Sequence, residues 1–297
     1  MYQMRTIIPG ETTVKDLHQY LLGCVAPRPI AFVSTLDEAG RPNLAPYSFF
    51  NAFSSNPPIV VFSSNRRVQD NQTKDTLHNV RTTGECVINV VSHAIVRQMA
   101  VASVQFPPGE SEFGKSGLTP LPATMVAPPY VAESPAHLEC RVREIITLGE
   151  HGGAGHLIIC NVLCIRVAEE VIESNNRINP HKMDLMGRMG RAYYVRASGD
   201  AIHTIVQSVT DLPIGFEGLP VTARTSQVLT GNDLGMLAGQ DHLPTADEIA
   251  AVRQRPEVQT ALLADDPLDA LHRLAAGLLA EGDAMGALCV IWIADTV

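Results

Sequence analysis

Two short stretches carry the residue types from which an anion site is built. Ser63-Ser-Asn-Arg-Arg67 follows an apolar run, and Thr73-Lys-Asp-Thr-Leu-His-Asn-Val80 comes soon after it. The second reads as a helix start, with Leu77 and Val80 on one face and Gly84 as the stop. A helix start presents free backbone N–H groups and the positive end of the helix dipole, which together favour an anion. Lys74 adds a point charge, Thr76 a hydroxyl donor, and Arg66 or Arg67 a guanidinium fork for phosphate. A solvated helix with incidental basic residues is the plain alternative, because such starts are common. A third stretch, Ala45-Pro-Tyr-Ser48, puts a proline inside an apparent strand. Proline forfeits a ladder hydrogen bond and belongs at an edge or a bulge, and a bulge opens backbone groups toward a ligand.

Other chemistry-bearing residues read as structural. His156, Cys160 and Cys164 stand at even four-residue steps in a segment that reads as a strand. Four strand residues span about 13 Å, whereas zinc ligands lie about 2 Å from their ion, so no metal site is expected. Cys24, Cys86, Cys140, Cys160, Cys164 and Cys289 are scattered without a CxxC pair, which predicts reduced core thiols. His137, His151, His156 and His181 each lack a recognisable acid–base partner, and no catalytic residue is assigned.

The elements that must hold these stretches are mostly strands. Thr13-Val-Lys-Asp16 caps a first helix that stops at Gly23. Ile30–Leu36 and Asn43–Phe50 form a hairpin around Asp37-Glu-Ala-Gly40, and Ile59–Phe62 and Cys86–Val91 are buried strands. His137–Ile146 and Leu157–Val167 pair across the glycine-rich turn Glu150–Gly155. Short hairpin links with few βαβ alternations predict an antiparallel barrel, and no GxGxxG or P-loop motif is present. Beyond residue 200 the signals become helical: Thr245-Ala-Asp-Glu248 is a capping box, and Asp266-Pro267 opens a helix that stops at Gly282. The bulky apolar run Ala287–Ile293 reads as a buried strand that returns to the barrel.

The 297 residues include 31 acidic and 22 basic side chains, a net charge of −9, with 45% hydrophobic and 18% charged residues. That is a globular composition with room for a full core. An acidic chain without a basic cluster is a poor polyanion binder, so no nucleic-acid partner is expected. No apolar run approaches the roughly 18–20 residues needed to cross a bilayer, and the first residues lack a signal-peptide core, so a cytoplasmic location is expected.

Read together and in order, the motifs resemble the flavin reductase-like, FMN-binding split-barrel family. The resemblance is carried by Pro27-Arg-Pro-Ile-Ala-Phe-Val-Ser34, Asn43-Leu-Ala-Pro-Tyr-Ser-Phe-Phe-Asn51, Asn56-Pro-Pro58, Lys74-Asp-Thr-Leu-His-Asn79, Gly84-Glu-Cys-Val-Ile-Asn89, Phe113–Pro120 and Ser134–Cys140. It spans roughly residues 5–195, and agreement among several weak motifs makes it specific. It implies an antiparallel split β-barrel over residues 1–200, usually a homodimer, with FMN held without a covalent bond. A largely helical C-terminal extension over residues 201–297 is expected to pack on the barrel or across the dimer. Carried over residue by residue, Ala45, Pro46, Tyr47 and Ser48 would line the isoalloxazine, with Ser48 as a donor. Ser63, Ser64 and Asn65 would face the ribityl chain or phosphate. Lys74, Asp75 and Thr76 would hold the phosphate, Asp75 through its backbone N–H, and Arg28 would close the pocket. The segment Asn179–Tyr194 matches a late family motif only loosely, so His181 and Arg188 are not assigned.

The resemblance implies an NAD(P)H-dependent flavin reductase passing hydride to flavin N5, with NADH or NADPH as donor. The alternatives are a flavoredoxin-like FMN electron carrier serving a partner protein, and a cofactor-free barrel used as an assembly module. The intact Lys74-Asp-Thr76 argues against the last.

Overall fold

The computed structural model describes residues 2–107, 110–205 and 212–297, which fall into two units, Met1–His203 and Thr204–Val297. The first unit carries β1 (Ala31–Leu36), β2 (Pro42–Tyr47), β3 (Phe50–Ser55), β4 (Pro58–Ser63) and β5 (Glu85–Val90). The short β6 (Pro120–Leu121) and β7 (Tyr130–Val131) follow, then β8 (Ala136–Thr147), β9 (His156–Val167), β10 (Leu185–Gly190) and β11 (Tyr193–Ala197). Its helices are α1 (Val14–Cys24), α2 (Asp75–Thr83), α3 (Val96–Ala102), α4 (Glu112–Ser116) and α5 (Pro180–Met183).

A seven-stranded antiparallel sheet runs in the order β2-β1-β5-β8-β9-β4-β3. Its two edges, β2 and β3, are separated in the chain only by Ser48 and Phe49. Laid flat, such a sheet would hold its edges about 29 Å apart at ~4.8 Å per strand. Three Cα steps reach at most about 11 Å. The sheet must therefore curl until its edges meet, and among the described residues β2 and β3 do not pair. The result is a split barrel. The expected strand Asn43–Phe50 divides at that corner, with β2 ending at Tyr47 and β3 starting at Phe50. Pro46 lies on the edge strand opposite Phe32, in a register that runs without a bulge from Ala31↔Tyr47 to Leu36↔Pro42.

The barrel interior is built from Ala31, Val33, Tyr47, Val60, Phe62, Cys86, Ile88, Cys140, Ile158 and Cys160, joined by Leu77 and Val80 of α2. The opposite face of β1 is buried too, because Phe32 and Leu44 pack with Met99 of α3 and Phe113 of α4. Burial on both faces explains why β1 reads as a continuous apolar run rather than an alternating one. α1 begins as expected, with the Thr13 hydroxyl accepting from Asp16 N, and α2 ends at Gly84 in the left-handed region (φ 72°).

The second unit is helical: α6 (Val221–Arg224), α7 (Gly231–Ala238), α8 (Ala246–Arg253), α9 (Pro256–Leu262), α10 (Pro267–Glu281) and α11 (Ala284–Ala294). The capping box at Thr245 and Glu248 forms, and Asp266 caps α10. The strand expected over Ala287–Ile293 is instead α11. Asp283 caps that helix by accepting from Gly286 N at 2.9 Å, and residues Gly286 to Ile291 are all buried within the unit's own core. A helix buried on every side has no polar stripe, so periodicity cannot separate it from a buried strand. Among the described residues no helix is long and apolar enough to cross a membrane.

Candidate functional site

The N-terminal end of α2 is uncapped by any side chain, with Lys74 extended in the capping position. Leu77 N bonds Lys74 O at 3.0 Å, while the Asp75 and Thr76 N–H groups have no acceptor among the described residues. Lys74 is half-buried, and its ammonium lies 4.8 Å from the centroid of the Tyr47 ring. No carboxylate lies within ion-pair distance of it among the described residues. Burial, and secondarily Arg67, hold its pKa below the ordinary lysine value. A partly desolvated cation without a counter-charge is a place where an anion is favoured.

Tyr47 points inward from β2 and is 5% exposed. Its phenol has no hydrogen-bond partner, although the Thr76 and Ser64 hydroxyls face it. Burial pushes its pKa up to about 12, with Asp75 and Glu112 adding in the same direction. The Ser64 hydroxyl is likewise buried and unpartnered. Its backbone continues the ladder, Ser64 N to His156 O at 3.1 Å and His156 N to Ser64 O at 3.2 Å.

Thr76 is fully buried, and its hydroxyl accepts from Asn43 Nδ2 at 2.9 Å. Asn79 Nδ2 donates to Thr35 Oγ1 at 2.9 Å, so two amides stitch α2 to β1 and β2. Asn43 and Asn79 went unassigned as site residues. Nothing but their place in the quoted motifs marked them, since asparagine is an ordinary turn residue. Ser63 Oγ donates to Asn65 Oδ1 at 2.8 Å, and Asn65 Nδ2 donates to Gly153 O at 3.2 Å. These two therefore brace the loop after β4 against the glycine-rich β8–β9 turn. The fit is close: a Cβ on Gly155 would lie 2.6 Å from Ser63 Oγ, and one on Gly152 would lie 2.8 Å from Arg67 O. Arg66 Nε is buried beside this loop without a partner.

Arg28 is 4% exposed at the barrel seam. Its NH1 donates to Leu22 O at 2.8 Å and to Val25 O, capping the last turn of α1. Its Nε reaches Ser48 Oγ at 3.5 Å, where Ser48 accepts, and its NH2 is buried without a partner. The guanidinium carbon lies 5.9 Å from the Phe49 ring centroid. Ala45 and Pro46 are half-buried on the edge strand, immediately before Tyr47. Tyr47, Ser64, Lys74 and Thr76 thus meet at one corner, Ser63 and Asn65 border it, and Arg28 pairs with Ser48 at the seam.

Two cavities open in the first unit. One, about 560 Å³, is lined by Asp37, Glu38, Asn43, Asp75, Glu110 and Glu112, among others, and Asp75 is its one residue from the assigned set. The other, about 640 Å³, lies between α1 and the β10–β11 hairpin.

Residues 22–182 match the profile of the family described as the flavin reductase like domain. A protein of Aquifex aeolicus described only as uncharacterized is 37% identical over 190 residues, 64% of this chain and 94% of that one. Nitrilotriacetate monooxygenase component B from Bacillus cereus superposes with a TM-score of 0.64 at 32% identity, covering 69% of this chain and 100% of that one. The 2-nitrobenzoate 2-nitroreductase from Pseudomonas fluorescens superposes with a TM-score of 0.62 at 27% identity, covering 70% and 98%.

Proposed function

This chain belongs to the flavin reductase-like domain family, and on that premise we propose that it is an FMN-binding oxidoreductase, a flavin reductase using NADH or NADPH. The observation that carries the reading is the corner where β2, the end of β4 and α2 meet. Lys74 without a counter-charge, the free Asp75 and Thr76 N–H groups, and the unpartnered Ser64 and Tyr47 hydroxyls gather there. Such a donor set fits a phosphate and its polyhydroxyl tether. Each buried polar group without a partner costs about 1–3 kcal/mol, so a ligand that satisfies them binds at a net gain.

In this reading Lys74 and the two N–H groups hold the phosphate, Thr76 giving its backbone N–H while its hydroxyl accepts from Asn43 Nδ2. Ser63, Ser64 and Asn65 border the ribityl chain. Ala45 to Ser48 line the ring, and Arg28, with one donor unspent, closes the seam end. When bound, the flavin supplies the hydride-accepting and electron-passing chemistry. The chain's own task is to position it, exclude water and offer N–H and O–H groups to the ring edge. That division of labour needs no acid–base dyad, in keeping with a site whose residues are donors and braces. The redox character of the nitroreductase and the monooxygenase component supports the oxidoreductase class. A homodimer is part of the proposal: the edge strand β3 leaves Asn51 to Ser55 exposed, Phe53 by 68%, as a face for a second copy.

The test is an absorbance spectrum of the purified protein, with FMN added if it is colourless, then anaerobic NADH followed by NADPH in the same cuvette. Flavin bands that bleach rapidly support the reductase and name its donor. Bands that persist until dithionite is added move the protein to the electron-carrier reading. A colourless protein that also ignores added FMN ends the flavin reading.

A further inference from the structure

The cavity of about 640 Å³ is walled on one side by Asp16, His18, Gln19, Tyr20, Leu22 and Gly23 of α1. The β10–β11 hairpin, with Arg188, Arg191 and Tyr193, forms the other wall. None of these residues is among those assigned to the flavin, although Leu22 and Arg188 bond Arg28 through their backbones. Arg188 is held in place: its NH1 donates to Tyr193 O at 3.1 Å, and its guanidinium carbon lies 4.6 Å from the Tyr194 ring centroid. Neither Arg188 nor Arg191 has a carboxylate within ion-pair distance among the described residues. Arg191 sits at φ 47°, a left-handed conformation that a non-glycine residue adopts at a cost, and such outliers concentrate at ligand sites. The hairpin also comes very close to α1, since a Cβ on Gly190 (φ 109°) would lie 3.2 Å from Leu22 O.

Tyr20 and Tyr193 are 40% and 65% exposed at this cavity, so each offers a ring face rather than filling a core. The one carboxylate in the wall, Asp16, accepts the Thr13 hydroxyl at 2.7 Å. It lies about 9 Å up the helix from Leu22, at 1.5 Å per residue, so the hairpin end of the cavity is the cationic end. That end adjoins the seam. Arg28 N donates to Arg188 O at 3.0 Å and Arg188 N to Arg28 O at 2.8 Å, while the Arg28 side chain reaches Leu22 O and Ser48.

We propose that this cavity is a co-substrate site whose ligand is a planar aromatic ring bearing a carboxylate or phosphate, the arginines taking the anion and the tyrosines the ring. The volume lies within the range of pockets for molecules of drug or nucleotide size. Its role as a co-substrate site rests on the flavin reading; the cavity's chemistry does not.

The test is calorimetric titration of the full-length protein with sodium benzoate and, separately, with NADPH. Arg191→Gln and Arg188→Gln are titrated alongside the parent, and bound flavin is read by absorbance in each. At least one probe should saturate, and at least one variant should bind it tenfold or more weakly with its flavin content unchanged. Arg191 is exposed and makes no hydrogen bond through its side chain among the described residues, so its variant tests the site even if Arg188→Gln fails to fold. Saturation by benzoate alone assigns the site to free aromatic acids, and saturation by NADPH alone to nucleotides. If neither probe binds, or if folded variants bind as tightly as the parent, the proposal is overturned. Flavin-loaded protein without probe binding rejects this site and keeps the flavin reading; probe binding by a protein that takes no flavin does the reverse.

Discussion

Lys74 and Thr76 stand two positions apart in the chain and do different work. Lys74→Ala should weaken FMN at least tenfold, about 1.4 kcal/mol, with little change in stability, because the ammonium makes no hydrogen bond to the protein among the described residues. A fluorescence titration reads the affinity, and a value equal to the parent's would move the phosphate elsewhere. Thr76→Val should do the opposite. It leaves the backbone N–H in place but takes from Asn43 Nδ2 its closer acceptor, leaving Thr35 Oγ1 at 3.5 Å, which predicts a loss of about 1 kcal/mol in urea unfolding with FMN affinity largely kept. An unaltered urea midpoint would show that this bond contributes nothing. Cation, hydroxyl and helix start were all legible in the sequence. The inward direction of Thr76 was legible too, because it lies four residues before Val80 and shares that residue's buried stripe. The partner Asn43 was not, because only strand pairing brings β2 under α2.

At the scale of elements, the glycine-rich β8–β9 turn and the helices obey different rules. Gly152→Ala would drive a Cβ to 2.8 Å from Arg67 O and 2.9 Å from Val68 Cα, both backbone atoms that cannot swing away. A loss of about 1–3 kcal/mol in urea unfolding is expected, with weaker FMN binding because the displaced loop carries Ser63 to Asn65. Gly277, within α10, meets nothing within 4 Å, so Gly277→Ala should stabilise by about 0.5–1 kcal/mol. Equal midpoints for the two variants would show that the tight packing at Gly152 is not what holds the loop. Strands and caps with a local signal, such as β4, β5, β8, β9, the cap at Thr13 and the capping box at Thr245, were readable within a residue or two. α11 was not, since its apolar run fits either geometry until its surroundings are known. β10 and β11 lacked alternation strong enough to mark them, and they pair across the positive-φ residues Gly190 and Arg191.

For the whole molecule, His137, His156 and His272 are 4%, 0% and 3% exposed, and burial holds each pKa below the ordinary 6.5. Below pH 6.5 the unfolded chain takes up protons that the folded chain resists, so stability is full above that value and falls as the pH drops. His242, beside Asp241 and Glu248, has the opposite sign, but it is exposed and screened. The urea midpoint should therefore be flat from about pH 8 to 7 and lower at about pH 5, where the half-buried Glu112, its carboxyl pushed up by burial, opposes the three histidines; an equal midpoint at pH 5 would count against this account. We also propose that residues 201–297 support the barrel or its dimer, so a chain ending at residue 203 should be insoluble, and a soluble, flavin-loaded fragment would reject that. Local residue type and spacing were enough for the family, for the main strands and the β1–β2 and β8–β9 hairpins, for the caps and for the anion-friendly start of α2. Long-range packing set the order of the strands and put β2 and β3 at the seam, carried Arg28 to Ser48, made the final apolar run a helix, and brought Arg188, Arg191, Tyr20 and Tyr193 to one cavity. Those outcomes depend on contacts between residues far apart in the chain, and no local pattern encodes the distance between them.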